Sequence, residues 1–187
     1  MSDALPPAPV PSGQARTPVE GWMDGRTHVY PVRVYYEDTD AGGIVYHANY
    51  LRFCERARNE MMRCLGHPHA AMVRDDGVAF AVRRCEIDFL RSARLDDALE
   101  VATEIIDIGA ATVDARQIVR RPEPAGDGPG QGVELARLTL RLACINRMGR
   151  PARLPSALRG AMAGIAGMSE SPAAGAGPCL HEVSGPA

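Results

Sequence analysis

The sequence predicts an α+β fold in which a five-stranded antiparallel sheet is wrapped around one long central helix. A β-branched and aromatic segment at residues 29–36 is typical of a strand. An amphipathic segment at residues 49–65 has apolar side chains at helical spacing. Four more strand-like segments follow without a second long helix between them. This order disfavours a parallel sheet of alternating strands and helices.

The first strand is followed by a turn and then by the helix. Paired glycines within residues 39–43 give the backbone the freedom that a tight turn requires. Asn49 is predicted to cap the helix, and Gly66 to end it. The apolar face of the helix carries Tyr50, Phe53, Cys54, Ala57, Met61, Cys64 and Leu65. We therefore expect this face to pack against the sheet.

The second half of the chain predicts a meander of strands. After a helical connector, strands are predicted at residues 78–89, 98–108, 110–121 and 133–145. Residues 107–110 predict a tight hairpin, and residues 127–132 a longer Gly-rich hairpin tip. One helix cannot cover both faces of such a sheet, and its edges need protection. A homodimer or homotetramer is therefore expected.

Both ends of the chain differ in composition from the middle. Residues 1–27 contain five of the fifteen prolines and show no apolar period, so we predict a disordered tail. Residues 167–187 are rich in Gly, Ala, Pro and Ser and predict a flexible tail. The functional domain is expected at residues 28–166, close to the most common domain size.

Bulk composition limits the partners and the compartment. The net charge of −2 gives no general attraction to nucleic acid or to an anionic membrane. The N-terminus is neither basic nor apolar, and no apolar run reaches the roughly 20 residues of a membrane span. Five widely spaced cysteines without a C-x-x-C pair predict reduced thiols and a cytoplasmic location. No cofactor or metal is predicted.

Residues 36–50 contain the side chains that are best suited to catalysis. Three acids, two glycines, a histidine and several tyrosines precede or open the predicted helix. Gly42 and Gly43 allow a ligand to approach the backbone, and the helix N-terminus offers unpaired N–H groups to a developing oxyanion. A carboxylate in this segment can attack a carbonyl there, or activate a water molecule.

Composition alone also permits a purely structural turn at this position. A calcium-binding EF-hand is disfavoured because its twelfth position would be Asn49, and because a strand precedes the loop. A serine hydrolase is disfavoured because the sequence has no G-x-S-x-G motif.

Residues 34–51, VYYEDTDAGGIVYHANYL, resemble the signature of the 4-hydroxybenzoyl-CoA thioesterase family. The similarity continues at residues 55–58, 80–83 and 93–97, and is greatest to the bacterial acyl-CoA thioesterases associated with the Tol–Pal envelope system. The resemblance covers most of residues 28–160. It implies a hot-dog fold with active sites at a dimer interface, hydrolysis of acyl-CoA thioesters and a link to Tol–Pal. The Pro-rich N-terminus, the Gly-rich hairpin tip and the Ala/Gly-rich tail depart from the family.

The resemblance also implies roles for individual residues. Asp40 matches the catalytic aspartate, His47 matches an active-site histidine, and Tyr36 matches a tyrosine of the same site. Gly42 and Gly43 are expected to contact the substrate. The oxyanion donor is expected to be a backbone N–H near His47. The sequence leaves open whether Asp40 is the nucleophile or the general base.

Three further residues are candidates for substrate binding. Glu55 is a helix carboxylate of the kind that is catalytic in some other hot-dog thioesterases, although an ion pair with a neighbouring arginine is the competing interpretation. Arg91 and Arg94 are predicted to bind the phosphates of coenzyme A. The rivals for that role are Arg83, Arg84, Arg147, Arg150 and Arg153.

Two other functions remain open at the level of sequence. A hot-dog hydratase or dehydratase would use a histidine and an acid, and His47 and Asp40 satisfy that requirement formally. A non-catalytic acyl-CoA-binding protein would keep the fold without the chemistry. Release of free coenzyme A distinguishes the thioesterase from both.

Overall fold

A computed structural model describes residues 21–122 and 132–166, together with the backbone of residues 177–178. The strands are β1 (Trp22–Asp24), β2 (Thr27–Arg33), β3 (Val78–Phe89), β4 (Ala98–Ile108), β5 (Thr112–Arg121), β6 (Val133–Asn146) and β7 (Gly177–Pro178). The helices are α1 (His47–Cys64), α2 (His69–Ala71) and α3 (Ser156–Ile165). A 3₁₀ turn spans Tyr36–Asp38, and a π-helical turn spans Met72–Asp76.

All strand pairs in the sheet are antiparallel, in the order β3-β6-β5-β4-β2-β1-β7. Strand β5 illustrates why the segments form a sheet with one covered face. Val113, Ala115, Gln117 and Val119 are buried, and the residues between them are more exposed. This period of two follows from the alternation of side chains along a strand.

Helix α1 covers the buried face of the sheet and packs on β2, β4 and β5. Its buried side chains include Phe53, Cys54, Ala57 and Met61, which recur at helical spacing. Burial of each large apolar side chain contributes about 1.5–3 kcal/mol, so this face is the main attachment of the helix. The shorter α3 adds Leu158 and Met162 to the same core.

The predicted α+β architecture is confirmed, but the predicted meander of four strands is wrong for β3, which pairs with β6 and not with β4. Further differences lie at the edges of the elements. The five predicted strands correspond to β2 through β6, and short strands β1 and β7 extend the sheet. The first predicted strand ends earlier, at Arg33, because residues 36–38 turn into a 3₁₀ helix. The helical connector is present as α2 and the π-helical turn. The hairpin at residues 107–110 is present, and Gly109 N donates to Thr112 O at 2.9 Å.

The prediction that Asn49 caps the long helix is wrong. Helix α1 begins two residues earlier, at His47, and Asn49 is buried within its first turn. The Asn49 side chain instead donates from Nδ2 to Asp38 O at 3.0 Å. The consequence is that His47 itself belongs to the N-terminal turn of α1.

The ends of the domain differ in part from the predicted boundaries. Residues 22–24, assigned above to a disordered tail, form strand β1 and pair with β2. Residues 1–20, the hairpin tip around residues 127–131 and most of residues 167–187 lie outside the described residues. Cys54, Cys85 and Cys144 are free, but Cys64 is disulfide-bonded, which contradicts the prediction of reduced thiols at that position.

Within the described part of the chain, no helix combines the length and the apolar character that a membrane span requires.

Candidate active site

The loop between β2 and α1 is held in place by the buried Asp38. Its carboxylate accepts a hydrogen bond from Tyr35 N at 2.9 Å, and its backbone oxygen accepts one from Tyr46 N at 2.9 Å. Together with the Asn49 contact, these bonds fix the loop to the first turn of α1. Asp38 is therefore occupied by structural contacts, although it belongs to the same acidic run as Asp40.

Asp40, by contrast, is exposed at the tip of this loop. Its Oδ1 accepts a hydrogen bond from Gly42 N at 2.8 Å, and its backbone oxygen accepts one from Gly43 N at 3.0 Å. A Cβ atom at position 42 would lie 3.0 Å from that Oδ1. Gly43 has φ +71°, a left-handed conformation that favours glycine. The two glycines thus shape the turn that presents the carboxylate.

The Asp40 carboxylate faces an open cleft of about 360 Å³. The cleft lies between the loop, the start of α1 and the residues that follow β3. Its lining consists of Asp40, Ile44, Val45, His47, Tyr50, Phe89, Leu90, Arg91 and Ser92. Asn49 N donates to Tyr46 O at 2.8 Å, whereas the backbone N–H groups of His47 and Ala48 have no acceptor within the helix, so α1 offers a partial positive charge at this end. An acid, an imidazole and a helix N-terminus therefore meet around one space.

His47 is the first residue of α1 and is exposed to solvent. Its ring lies 4.4 Å from the Tyr46 ring and 6.2 Å from the Phe89 ring, measured between centroids. These aromatic neighbours restrict the imidazole to the wall of the cleft. In that position the imidazole is able to orient a water molecule or a substrate group.

Ala93 connects the far wall of the cleft to both the loop and the helix. Ala93 O accepts a hydrogen bond from Val45 N at 2.9 Å, and Ala93 N donates to the Tyr50 hydroxyl at 2.9 Å. Burial raises the pKa of Tyr50, so the phenol stays protonated at neutral pH. These contacts fix the spacing between residues 90–93 and the loop that carries Asp40.

The structure brings only some of the predicted site residues together. Asp40, His47 and Arg91 line the cleft, and Gly42 and Gly43 form the adjoining turn. Tyr36 is 83% exposed and does not line the cleft. Arg94 also lies outside the lining; its backbone N donates to Asp97 Oδ2 at 2.8 Å.

Glu55 lies away from the Asp40 cleft, on the middle of α1. It forms an ion pair with Arg58, one turn along the helix. Arg58 is buried and also donates to Gln117 Oε1 on β5. Gln117 in turn donates from Nε2 to Cys54 O at 2.9 Å and to Thr103 Oγ1 at 3.0 Å. The ion-pair interpretation of Glu55 is therefore the one that the geometry favours.

Sequence reasoning missed several residues of the cleft. Tyr50 could have been predicted to line the cleft, because it follows His47 by three residues and so lies on the same side of the helix. The positions of Phe89, Leu90 and Ser92 could not have been predicted, because these residues reach the cleft only through the pairing of β3 with β6.

Comparison with known proteins gives a consistent result. Residues 34–162 match the thioesterase-like superfamily. The acyl-CoA thioesterase YbgC of Haemophilus influenzae is 41% identical over 117 residues, which cover 63% of this chain and 79% of that protein. The crystal structure of a probable thioesterase from Bartonella henselae is 35% identical, with a TM-score of 0.63, and the match covers 69% of this chain and 99% of that one.

A third comparison concerns the fold alone. A 4-hydroxybenzoyl-CoA thioesterase, solved in complex with 4-hydroxybenzoyl-CoA, has a TM-score of 0.65 at 23% identity. The match covers 73% of this chain and 99% of that one. The shared fold agrees with the arrangement of one long helix on an antiparallel sheet described above.

Proposed function

This chain belongs to the thioesterase-like superfamily, and from that premise we propose that Asp40 hydrolyses acyl-CoA thioesters in the cleft at the N-terminus of α1. The predicted family and the hot-dog fold are confirmed by the superfamily match and by the solved neighbours. The protein is an acyl-CoA thioester hydrolase, and its products are a free acid and coenzyme A. The role of each residue is our proposal.

A single observation carries the assignment of the site: Asp40 shares one cleft with His47 and the first turn of α1. A thioester carbonyl placed there has a carboxylate on one side and backbone N–H groups on the other. The carboxylate attacks the carbonyl carbon, or removes a proton from an attacking water molecule. The N–H groups stabilise the oxyanion that forms, and the coenzyme A thiolate leaves as the carbonyl reforms.

The function is tested by thiol release. The purified protein is incubated with acyl-CoAs of several chain types, and free coenzyme A is measured. A hydratase or dehydratase would change the acyl chain without releasing thiol, and a binding protein would release none. Absence of thiol release from every acyl-CoA would refute the hydrolase assignment.

We propose that Arg91 binds a phosphate of coenzyme A, because its side chain lines the cleft that contains Asp40. Arg91→Ala should raise KM for acyl-CoA by about tenfold with little change in kcat, because a distant phosphate contact binds ground state and transition state alike. An acyl-pantetheine substrate, which lacks the nucleotide, should be unaffected. Arg94→Ala is the matched control, since Arg94 lies outside the cleft lining. Equal effects of the two substitutions would contradict the assignment.

We also propose that the protein is a homo-oligomer whose subunits meet at β3, with dimer and tetramer both compatible. Within the described residues, β3 is an edge strand of 12 residues that pairs only with β6. Val82 on this strand is 51% exposed. A long edge strand that no other described element covers is prone to pair with another chain.

Val82→Lys should lower the mass in solution, as measured by sedimentation velocity. Ile106→Lys is the control, because Ile106 is equally exposed but lies on the interior strand β4. An unchanged mass for Val82→Lys would place the interface elsewhere.

The cytoplasmic location and the link to the Tol–Pal system stay predictions. The cytoplasmic location is supported by the substrate class, since acyl-CoA thioesters are intracellular metabolites. The Tol–Pal link is supported by the sequence resemblance at residues 34–51.

A further inference from the structure

Cys64, the last residue of α1, is half-buried and disulfide-bonded. The chain contains five cysteines, of which Cys54, Cys85 and Cys144 are free. The fifth is Cys179, which lies outside the described residues and directly follows the backbone of β7 in the sequence. Within a single chain, elimination therefore leaves Cys179 as the one candidate for the partner of Cys64.

Strand β7 brings the C-terminal part of the chain back to the sheet. It pairs antiparallel with β1 and is the last strand at that edge of the described sheet. Helix α1 packs on β2, and β1 alone separates β2 from β7. Neighbouring strands are about 4.8 Å apart, so β7 runs about 10 Å from a strand beneath the helix. The neighbourhood of β7 and α1 supports a bond between the helix and the residue that follows Pro178.

The position of Cys64 on the helix also suits a partner on the sheet. Cys64 follows Ala57 by seven residues, which is close to two helical turns. The two side chains therefore point to the same side of α1, and Ala57 is fully buried in the core. Cys64 lies at the end of the helix and is only partly covered. A thiol in solution can therefore reach the bond while the helix stays in place.

Strand β7 is too short to hold the C-terminal segment firmly by itself. Its two residues pair with Met23 and Trp22 of β1, and one of the two, Pro178, has no N–H to donate. Strand pairing of this length is marginal in water. The end of α3 lies at the turn between β1 and β2, since Arg26 Nη1 donates to Ala166 O at 3.1 Å. The chain thus leaves and rejoins the domain beside β1, and a covalent bond explains how so short a strand is retained there.

We propose that Cys64 and Cys179 form a redox-sensitive strap that holds the C-terminal segment and β7 against β1. To open it, a thiolate of a small dithiol attacks one sulfur, and a mixed disulfide forms while the other cysteine leaves as a thiolate. The second thiol of the reductant then displaces the first cysteine, so two electrons reach the protein and the reductant leaves as a cyclic disulfide. Oxidised glutathione closes the strap by the same exchange in reverse and leaves as two molecules of reduced glutathione. Disulfides of cytosolic proteins are usually redox-sensing rather than structural, which fits the predicted location.

The strap should stabilise the domain without changing catalysis. The bond closes a loop of about 115 residues, and such a cross-link restricts the unfolded chain more than the folded one. Reduction should therefore lower the melting temperature by about 10 °C. Cys64 does not line the Asp40 cleft, so Cys179→Ser should release coenzyme A at the wild-type rate well below its melting temperature.

The test uses the full chain, oxidised with oxidised glutathione and then compared with and without dithiothreitol. After denaturation, a maleimide should label three cysteines of the oxidised protein and five of the reduced one. Peptide mass spectrometry should find Cys64 joined to Cys179 in the oxidised sample. Hydrogen exchange of the β1 amides should be faster after reduction, because β7 then leaves the edge of β1.

Cys179→Ser should free the Cys64 thiol for labelling and abolish the effect of dithiothreitol on the melting temperature. Cys85→Ser is the matched control, because Cys85 is free and exposed, and this variant should keep both the bond and the full shift. Five labelled cysteines in the oxidised wild type, a bond from Cys64 to a second copy of the chain, or an equal melting temperature with and without dithiothreitol would overturn the inference. None of these outcomes bears on the hydrolase assignment, which the thiol-release assay tests.

Discussion

Asp40→Asn should lower kcat at least about 100-fold, with the fold and acyl-CoA binding retained. The substitution keeps the size of the side chain and leaves Oδ1 able to accept the hydrogen bond from Gly42 N. It removes the negative charge, and with it both nucleophilic attack and general-base catalysis. Steady-state kinetics with acyl-CoA, beside a melting curve, measures the two effects separately.

The two neighbouring carboxylates provide the controls. Asp38→Asn should change stability more than turnover, because Asp38 holds the loop through Tyr35 N rather than facing the cleft. Glu55→Gln should leave the chemical step nearly unchanged, because Glu55 is paired with Arg58 outside the Asp40 cleft. Near-normal turnover of Asp40→Asn together with an inactive Glu55→Gln would make the helix carboxylate the catalyst.

A single-turnover reaction in H₂¹⁸O distinguishes the two roles of Asp40. If Asp40 is the nucleophile, water hydrolyses a mixed anhydride, and label can enter the Asp40 carboxylate. If Asp40 is the general base, the label enters the product acid alone. Mass spectrometry of the peptide that contains Asp40 reads the difference.

The sequence predicted the fold well because its elements are defined by local periodicity. The apolar face of α1 and the β-branched strands required no knowledge of distant contacts. The boundaries at Arg33 and His47 were missed because hydrogen bonds within residues 35–49 set them, and these bonds leave no periodic pattern in the sequence. Asp38 binds both sides of the loop, and Asn49 bonds to Asp38 instead of capping the helix.

The candidate site was predictable where it is contiguous in sequence. Asp40, Gly42, Gly43 and His47 lie within one short loop and helix start, so their proximity follows from chain geometry. The opposite wall comes from residues 89–92, whose approach depends on the register of β3 in the sheet. For the same reason the sequence could not show which of Arg91 and Arg94 lines the cleft. The two side chains are identical, and only the folded structure distinguishes their positions.

Gln117→Leu should reduce the free energy of unfolding by about 2–4 kcal/mol, because it leaves several buried polar groups without their partner. Gln117 is fully buried and connects Arg58, Cys54 and Thr103. Leucine has a similar size, so the loss of packing is small and the lost hydrogen bonds dominate. The Arg58 guanidinium would keep its ion pair with Glu55 but lose its hydrogen-bond acceptor on the sheet, Gln117 Oε1.

Urea unfolding at a fixed protein concentration measures the effect, since the stability of an oligomer depends on concentration. Thr103→Val is the control: it is nearly isosteric and removes one bond of the network, so its cost should be about 1 kcal/mol. A Gln117→Leu variant within about 0.5 kcal/mol of the wild type would mean that water replaces the lost partners. The expected larger loss would show that the Gln117 bonds, which join α1 to β5 and β5 to β4, stabilise the packing of the helix on the sheet.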